Sequence, residues 1–252
     1  MTATFSPHSR TPSSVAENRQ RLLDLYGNSP LPPEQVLTNL GLYLRSGPLA
    51  KILLLDELYR EIVDIPGAII EFGCWWGQAL AVFENLRAIH EPYNHSRRIV
   101  GFDTFQGYQT LNERDKPSDV IRQGNYSVSD AYTSHLEAVL DFHEHENRAA
   151  SQVKKCSIRP GDVAETVPKY FQENPQTIVA LAYFDFAIYE PTKLCLQNIK
   201  NRLIRGSVIA FDELNDADYP GETIALIETL GLRAGRIRKS RFLPDRTYMT
   251  ID

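Results

Sequence analysis

The sequence is poor in the features that mark several protein classes. It has three cysteines, an odd number without CxxC spacing, which argues against a disulfide framework or a zinc site. It also lacks any run of 18 apolar residues that would span a membrane. Residues 1–14 are polar and lack the apolar segment of a secretory signal, so we expect a mobile tail there. These absences indicate a cytoplasmic protein with free core thiols at Cys74, Cys156 and Cys195.

Positive charge is in short supply as well. Lysine and arginine number 27 against 32 acidic residues, and the formal net charge is −5. Broad nucleic-acid binding requires a basic surface, so we expect no nucleic-acid partner and no membrane partner. The 252 residues, 42% hydrophobic and 23% charged, have the composition of a soluble globular protein with one large α/β domain or two smaller ones.

Four apolar runs each end in an acidic residue. Each run has the length and the β-branched or aromatic content of a buried strand. A continuous apolar run, rather than an alternating one, indicates a strand covered on both faces, as in a parallel sheet. Since open parallel sheets bind ligands at the carboxyl ends of their strands, the sequence predicts a site there. The runs are residues 68–73 (AIIEFG), 99–103 (IVGFD), 179–185 (VALAYFD) and 208–213 (VIAFDE).

Strand and helix patterns alternate from residue 67 onward, which is typical of βαβ units and predicts an α/β, doubly wound and mostly parallel sheet. Two final strand candidates, 232–238 and 246–251, lie too close together for a crossover helix, so the last strand should be antiparallel. Predicted strands span 67–72, 98–102, 153–158, 178–185 and 206–211, and predicted helices span 77–90, 129–143, 163–172, 190–203 and 221–230. Three helix patterns, at 15–26, 34–44 and 49–63, predict an N-terminal helical extension over residues 15–65, before a main domain at 66–252.

The turn after the first predicted strand has the pattern E-x-G-x-x-x-G, from Glu71 through Gly73 to Gly77. Glycines there would let the backbone turn tightly and approach a ligand, beside the free N–H groups of the next helix. The spacing differs from GxGxxG, which disfavours a dinucleotide site. A plain glycine-rich turn is the alternative.

Acidic residues follow the next two predicted strands. Asp103 is placed to accept hydrogen bonds from both hydroxyls of a ribose, or else is a solvated acid at a strand end. Asp162 could accept from an adenine amino group, and it is equally suited to cap the helix that follows.

Three carboxylates, Asp185, Asp212 and Glu213, should meet at adjacent strand ends. They would repel one another unless a cation lies between them, and all-oxygen ligation suits Mg²⁺ or Ca²⁺ rather than zinc. Without a metal, one of the acids should be protonated or solvated. Residues 104–127 form a long loop that leaves the same edge, so we expect a substrate lid rather than simple disorder.

Taken in order, five motifs of this chain resemble the macrocin O-methyltransferase family, the metal-dependent sugar methyltransferases of antibiotic pathways. They are EFGCWWG at 71–77, GFDTFQG at 101–107, RPGDVAETVP at 159–168, YFDFAIYEPT at 183–192 and RGSVIAFDEL at 205–214. The resemblance covers about residues 66–230 and implies a class I methyltransferase fold that binds S-adenosylmethionine (SAM).

The resemblance implies a role for each matching residue. Glu71, Gly73 and Gly77 would line the SAM site, Asp103 would hold the ribose and Asp162 would lie by the adenine, while Asp185, Asp212 and Glu213 would hold Mg²⁺. Two departures stand out. The usual Asp-Asp pair is Asp212-Glu213 here, which keeps the charge. The family pattern is close to DGDLYE, and its second Asp, a candidate general base, is Ala187 here.

The first hypothesis is therefore a SAM- and Mg²⁺-dependent O-methyltransferase of secondary metabolism that acts on a deoxysugar, either nucleotide-bound (TDP-rhamnose-like) or in a natural-product glycoside. Asp185 and Glu213 would be the catalytic residues, and a homo-oligomer is expected. Methylation of a catechol-like diol is a second reading because metal chelation by a diol is shared chemistry. A SAM-binding protein without catalysis is a third, favoured by Ala187. A nucleotide-dependent oxidoreductase is disfavoured by the absence of GxGxxG.

Overall fold

The computed structural model of the protein describes residues 13–147 and 153–252, which form one seven-stranded sheet with helices on both faces. The strands are β1 (Ala68–Phe72), β2 (Ile99–Asp103), β3 (Cys156–Pro160), β4 (Val179–Phe184), β5 (Leu203–Phe211), β6 (Gly235–Lys239) and β7 (Thr247–Ile251). The α-helices are α1 (Ser13–Gly27), α2 (Pro33–Thr38), α3 (Ser46–Glu61), α4 (Gln78–His90), α5 (Tyr132–Glu146), α6 (Val163–Glu173), α7 (Tyr189–Ile199) and α8 (Gly221–Thr229). Short 3₁₀ helices span Leu40–Leu42 and Lys200–Arg202.

The strand order is β3-β2-β1-β4-β5-β7-β6. Strands β1 to β5 are parallel, and β7 runs antiparallel to both β5 and β6. The predicted doubly wound sheet with an antiparallel ending is confirmed. The connection from β6 to β7 is too short for a crossover, so β7 can only return antiparallel.

One row of phenylalanines sets the register at the carboxyl edge. Phe72 is paired with Phe102 and with Phe184, which is in turn paired with Phe211. All four rings are buried on the face covered by α6, α7 and α8. Because successive side chains alternate between faces, the residue after each of these phenylalanines leaves that core and comes to the edge. Asp103, Asp185 and Asp212 are three of those residues.

The other face of the sheet is covered by α3, α4 and α5. Helix α3 buries Leu54, Leu55, Leu58 and Tyr59 there, whereas none of the side chains described in α1 and α2 is buried. The predicted N-terminal extension thus contains two kinds of helix: α3 is packed into the main core and α1 and α2 lie outside it. The domain boundary at residue 66 stays a prediction.

A buried arginine fixes the direction of α3. The Arg97 guanidinium donates to the carbonyls of Ile62, Ile65 and Gly67 at 2.7–2.9 Å and pairs with Glu91. These bonds join the carboxyl end of α3 to the start of β1. Helix α3 therefore runs against the strands, and its amino end lies at the carboxyl edge of the sheet.

Several element bounds differ from the sequence prediction. Strand β3 begins at Cys156 rather than at residue 153, because the Glu144 carboxylate accepts the N–H groups of Lys155 and Cys156 and holds the preceding chain against α5. The predicted tail, residues 1–14, lies outside the described residues except for its last two, which begin α1. Cys74, Cys156 and Cys195 are buried and free, as expected. In the described part of the chain, no helix is both long and apolar enough to cross a membrane.

Candidate active site

A cavity of about 380 Å³ opens at the carboxyl edge of the sheet. The predicted site residues among its walls are Gly73, Asp103, Asp162, Asp185, Asp212 and Glu213. Glu71 and Gly77 are described but are not among the lining residues. Most of the predicted site residues thus line one cavity, whereas Glu71 and Gly77 do not line it.

The glycine-rich turn is shaped by protein neighbours. Gly73 has φ +89°, and a Cβ there would lie 2.3 Å from the Asp185 carbonyl oxygen. Gly77 has φ +70°, and a Cβ there would lie 2.5 Å from the Leu136 side chain. Both positions require glycine for close packing of β1 against β4 and of α4 against α5. Glu71 is buried beneath this turn, and its burial raises the pKa of the carboxyl group well above its usual range.

Backbone N–H groups occupy most of the acceptor sites of the Asp103 carboxylate. Its Oδ2 accepts the N–H groups of Cys74 at 2.7 Å and Trp75 at 2.8 Å, and its Oδ1 accepts that of Phe105 at 2.6 Å. Burial raises the pKa of this carboxyl group, and the three N–H bonds oppose that effect. A carboxylate has about four acceptor sites, so roughly one remains for a ligand. Asp103 therefore joins the turn after β1 to the end of β2, and still faces the cavity.

Asp162 caps helix α6 and also lines the cavity. Its carboxylate accepts the N–H of Ala164 at 2.9 Å, which is the N-cap bond of α6, and the residue also lines the cavity. Its second oxygen is therefore available to a ligand. The adenine contact stays a prediction.

The three acids at the ends of β4 and β5 form a compact cluster. Asp185, Asp212 and Glu213 each offer an oxygen within 4.8 Å of the others. Burial, and then the negative charge of Asp212, raise the pKa values of Asp185 and Glu213. Glu213 Oε2 is buried and has no hydrogen-bond partner among the described residues.

Two cations from distant parts of the chain neutralise this cluster in part. Lys51 Nζ, on α3, lies 2.9 Å from Asp185 Oδ2, and Arg246 Nε, just before β7, lies 2.6 Å from Asp212 Oδ1. Burial opposes the charged ammonium of Lys51, but the charges of Asp185 and Asp212, with the hydrogen bond to Asp185, together outweigh it and raise the lysine pKa. The hydroxyl of Tyr183 also donates to Asp212, at 2.8 Å.

A fourth buried acid organises the backbone around the cluster. Glu222, at the start of α8, accepts the N–H groups of Phe186, Ala187 and Glu213 at 3.1–3.2 Å. It thereby links the chain leaving β4 to the chain leaving β5. Burial raises the pKa of Glu222 to about 8.

Strained backbone gathers at this edge. The described non-glycine residues with left-handed φ are Trp75, Phe105, Tyr126, Ala187 and Asn215. Three of them line the cavity, and such conformations cost about 1–3 kcal/mol each. Ala187 has φ +61° and is held there by its bond to Glu222. The position that carries the family's candidate base is thus occupied here by a strained, buried alanine.

The long loop folds over the cavity. Its two arms are joined by the bonds from Tyr108 N to Asn125 O and from Gly124 N to Tyr108 O. The rings of Tyr108 and Tyr126 lie 5.4 Å apart, and Tyr126 lies 5.1 Å from Trp75. Further along, Asp115 accepts the N–H of Tyr189 at 2.7 Å, which anchors the loop to the start of α7. The loop is an ordered roof with aromatic side chains on the cavity, and its movement as a lid stays a prediction.

Sequence reasoning missed Lys51, Arg246 and Glu222. Lys51 carries a weak signal, since it is the one charged residue between Pro48 and Asp56 on a helix that is otherwise apolar there. Arg246 and Glu222 occur among other charged residues, so nothing in their local pattern distinguishes them.

The fold and the site together define a class I methyltransferase that uses SAM: five parallel strands, an antiparallel β7 inserted between β5 and β6, and an acid-lined cavity at the carboxyl edge. The model of the macrocin O-methyltransferase (TylF) family matches residues 51–223, so the chain belongs to that family. The resemblance seen in the motifs, the predicted fold class and the prediction of a SAM-dependent O-methyltransferase are confirmed.

Solved structures agree with this assignment. The crystal structure of CalS11, a calicheamicin methyltransferase, is 40% identical over 99% of both chains, with a TM-score of 0.92. An apo structure of CalS11, described as a TDP-rhamnose 3′-O-methyltransferase of calicheamicin biosynthesis, is 41% identical over 98% of this chain and 96% of that one, with a TM-score of 0.83. The O-methyltransferase NovP, 18% identical over 80% of this chain and 79% of its own, with a TM-score of 0.59, shows the fold alone. No curated protein matches the chain.

Proposed function

We propose that this enzyme transfers the methyl group of SAM to a hydroxyl of a deoxysugar, and that the sugar is carried on a nucleoside diphosphate. The observation that carries the proposal is the likeness, over nearly the whole chain, to CalS11, which is described as acting on TDP-rhamnose. The cavity is consistent with it, because three carboxylates and aromatic side chains suit a polyol with one apolar face.

We propose that Mg²⁺, or Ca²⁺, is held by Asp185, Asp212 and Glu213. Three features support this. The donors are all oxygen, they lie within 4.8 Å of one another, and Glu213 Oε2 is buried without a partner. Lys51 and Arg246 compensate Asp185 and Asp212, whereas Glu213 has no ion pair among the described residues, so a divalent ion would balance its charge. When bound, such an ion supplies acidification and orientation of a sugar hydroxyl.

The chain's own groups would do the rest of the chemistry. The methyl carbon bonds to the hydroxyl oxygen as its bond to sulfur breaks, and the hydroxyl proton passes to a base. Because Ala187 cannot accept a proton, we assign that role to Glu213, whose unpartnered oxygen faces the acid cluster. Glu71, Gly73, Gly77, Asp103 and Asp162 would form and support the SAM side of the cavity, where alignment supplies much of the rate.

We also propose a cytoplasmic homo-oligomer. Leucines on α2 and in the 3₁₀ turn after it are unusually exposed, with Leu37 at 70% and Leu42 at 64%. A second copy of the chain would cover such side chains.

Labelled SAM tests the proposal directly. Purified enzyme is incubated with TDP-rhamnose, a methyl rhamnoside, a natural-product glycoside and a catechol, each with Mg²⁺ and with EDTA. We expect methylated TDP-sugar in Mg²⁺ only, while binding of the product S-adenosylhomocysteine (SAH) is the same in both buffers. Turnover of the catechol alone would replace the sugar with a diol substrate, full activity in EDTA would remove the metal, and no turnover with intact SAH binding would favour a non-catalytic SAM binder.

A further inference from the structure

The charge of the active-site cavity is unfavourable for a diphosphate. Six acidic residues line it against two basic ones, Lys51 and Arg246, and both of these are already paired with acids. The acidic residues are Asp103, Asp162, Asp185, Glu190, Asp212 and Glu213. A sugar ring fits these surroundings, but the two or three negative charges of a nucleoside diphosphate would be repelled. If the substrate is a nucleotide sugar, its diphosphate must lie elsewhere.

A second cavity has the opposite charge. It has a volume of about 210 Å³ and lies between α1 and the start of α3. Its walls contain three arginines and no acidic residue, namely Arg19, Arg21 and Arg45 together with Asn18, Leu22 and Leu25. We call this space the arginine cleft.

No described residue compensates the charge of the cleft arginines. None of the three forms an ion pair with a described residue, whereas Arg60, Arg87 and Arg97 on nearby elements all do. Arg19 Nε is buried and has no hydrogen-bond partner in the part of the chain that the structure describes. A buried donor of this kind is costly unless a ligand or another part of the chain supplies an acceptor.

Helix α3 connects the arginine cleft to the active site. Helix α3 runs against the strands, so its first turn overhangs the carboxyl edge, and Arg45 precedes that turn. Lys51, on the same helix, contacts Asp185 in the acid cluster. The helix rise places Arg45 about 9 Å from Lys51 along the axis, which is comparable to the reach from a hexose ring to the phosphates attached to it. The amino end of α3 also carries the positive end of the helix dipole.

We propose that the arginine cleft binds the diphosphate of a nucleotide-linked sugar while the sugar ring lies among the acids. This rests on the proposed function only in taking the substrate to be a nucleotide sugar. Guanidinium groups suit the geometry of phosphate oxygens and bind them by charge-assisted hydrogen bonds. Each cavity thus binds the part of the substrate that suits its charge. The arginine cleft holds the anionic diphosphate, and the acid cluster holds the neutral sugar.

The test is calorimetric titration of the full chain with thymidine diphosphate in EDTA, with SAH present, so that neither turnover nor a metal contributes. Arg45→Gln and the double variant Arg19→Gln/Arg45→Gln are compared with Arg236→Gln, an exposed arginine of the edge strand β6 that has no ion pair among the described residues. Since charged hydrogen bonds contribute about 1.5–3 kcal/mol, Arg45→Gln should weaken binding roughly ten- to a hundredfold and the double variant further. Arg236→Gln should bind as the native chain does, and thymidine alone should bind weakly to all forms.

The outcomes separate this proposal from the proposed function. Equal affinity for thymidine diphosphate in all variants overturns the cleft, even if TDP-rhamnose is turned over. Failure of the native chain to bind thymidine diphosphate, with methylation of the phosphate-free rhamnoside, overturns the cleft and the nucleotide-bound substrate but leaves sugar methylation in place. Unchanged melting temperature and unchanged SAH affinity in each variant show that the fold is retained.

Discussion

Two strand ends of this enzyme look alike in sequence and differ in physical surroundings. Asp103 ends β2 and Asp185 follows β4, each directly after a phenylalanine of the same buried row. The carboxylate of Asp103 is satisfied by three backbone N–H groups close in space, whereas that of Asp185 is held by the ammonium of Lys51 and crowded by two further acids. The carboxylate of Asp103 is thus a structural hydrogen-bond acceptor with about one acceptor site left. The carboxylate of Asp185 is a charge that needs a cation beside it.

The role of an acid at a strand end does not follow from its position in the sequence alone. Its place at the sheet edge follows from the strand, but its role depends on whether donors or other acids surround it. Removing the carboxylate of Asp185 should therefore lower the catalytic rate, whereas removing that of Asp103 should weaken cofactor binding. Substitutions at the two strand ends and around them test that division.

Asp185→Asn should lower turnover by roughly two to four orders of magnitude, because the metal ion that we propose Asp185 holds would contribute several kcal/mol to transition-state stabilisation. Affinity for SAH, measured by calorimetry, should stay within a factor of about three. Asp141→Asn, which removes an exposed acid paired with Lys154, is the control for the loss of one charge. Turnover within tenfold of the native rate would remove Asp185 from the catalytic group.

Glu222→Ala should weaken both strand ends of the acid cluster at once. The N–H groups of Phe186, Ala187 and Glu213 lose their acceptor, and unsatisfied buried donors cost about 1–3 kcal/mol. We expect a drop of at least that size in the free energy of unfolding, measured with urea, and a turnover reduced more than SAH affinity. The exposed Glu137→Ala on α5 serves as the comparison. If turnover and stability both stay native, Glu222 does not position the cluster.

Asp103→Ala should weaken SAM and SAH binding by roughly ten- to a hundredfold, since a charged hydrogen bond contributes about 1.5–3 kcal/mol. The same change frees the turn at Cys74 and Trp75, so the fluorescence of Trp75 should also shift. Calorimetry is the deciding measurement. An affinity equal to that of the native chain would take Asp103 out of the cofactor site and leave it a purely structural residue.

Ala187→Asp tests the missing base. We expect unchanged or reduced turnover, because the proposed mechanism does not use a side chain at this position. Ala187→Gly is the matched control, since glycine adopts the left-handed backbone without strain. A gain of about a hundredfold, the lower range for a positioned general base, would mean that the native chain is a crippled enzyme and would favour the non-catalytic SAM binder.

The smallest effect is on the loop over the cavity, residues 104–127. Below pH 5 the ion pair between Arg114 of this loop and Glu228 should weaken. Hydrogen bonds from Tyr189 and Lys193 lower the pKa of Glu228 to about 2, and Arg114 of the loop pairs with the same carboxylate. A lowered folded pKa gives a stabilisation that is present above the unfolded value, about 4.3, and is lost as pH falls towards 2. Hydrogen exchange in residues 112–116, corrected for its intrinsic rate, should therefore be constant above pH 5 and rise below it. Glu228→Gln should exchange equally fast at all pH values, and a native loop without this pH dependence would contradict the anchor.

Much of the fold could be predicted from local patterns because each strand and helix carries its own periodicity. The apolar run that becomes β4 predicts both a strand and its burial, and the short connection before β7 predicts its direction. The start of β3 was less predictable, because it depends on the Glu144 carboxylate of another element.

The residues of the site also differ in how far the sequence predicts them. The acids at the strand ends are visible in sequence because they interrupt apolar runs. Lys51 and Arg246 are not, since a cation is recruited to a carboxylate by three-dimensional proximity and Lys51 lies 134 positions from Asp185. The glycine pattern predicts a tight turn at position 73, and the φ of +89° agrees with it. The sequence does not predict that the neighbour which excludes a side chain there is the backbone of Asp185.

The distance along the chain between the acids and their cations has a consequence for folding kinetics. A partly folded chain that has paired β4 with β5 brings Asp185, Asp212 and Glu213 together before α3 and β7 have delivered Lys51 and Arg246. Strand pairing is opposed by repulsion at that stage, and docking of the two distant elements relieves it. We therefore expect charge repulsion, together with the cost of loop closure, to make this edge the part of the central strands that becomes native last.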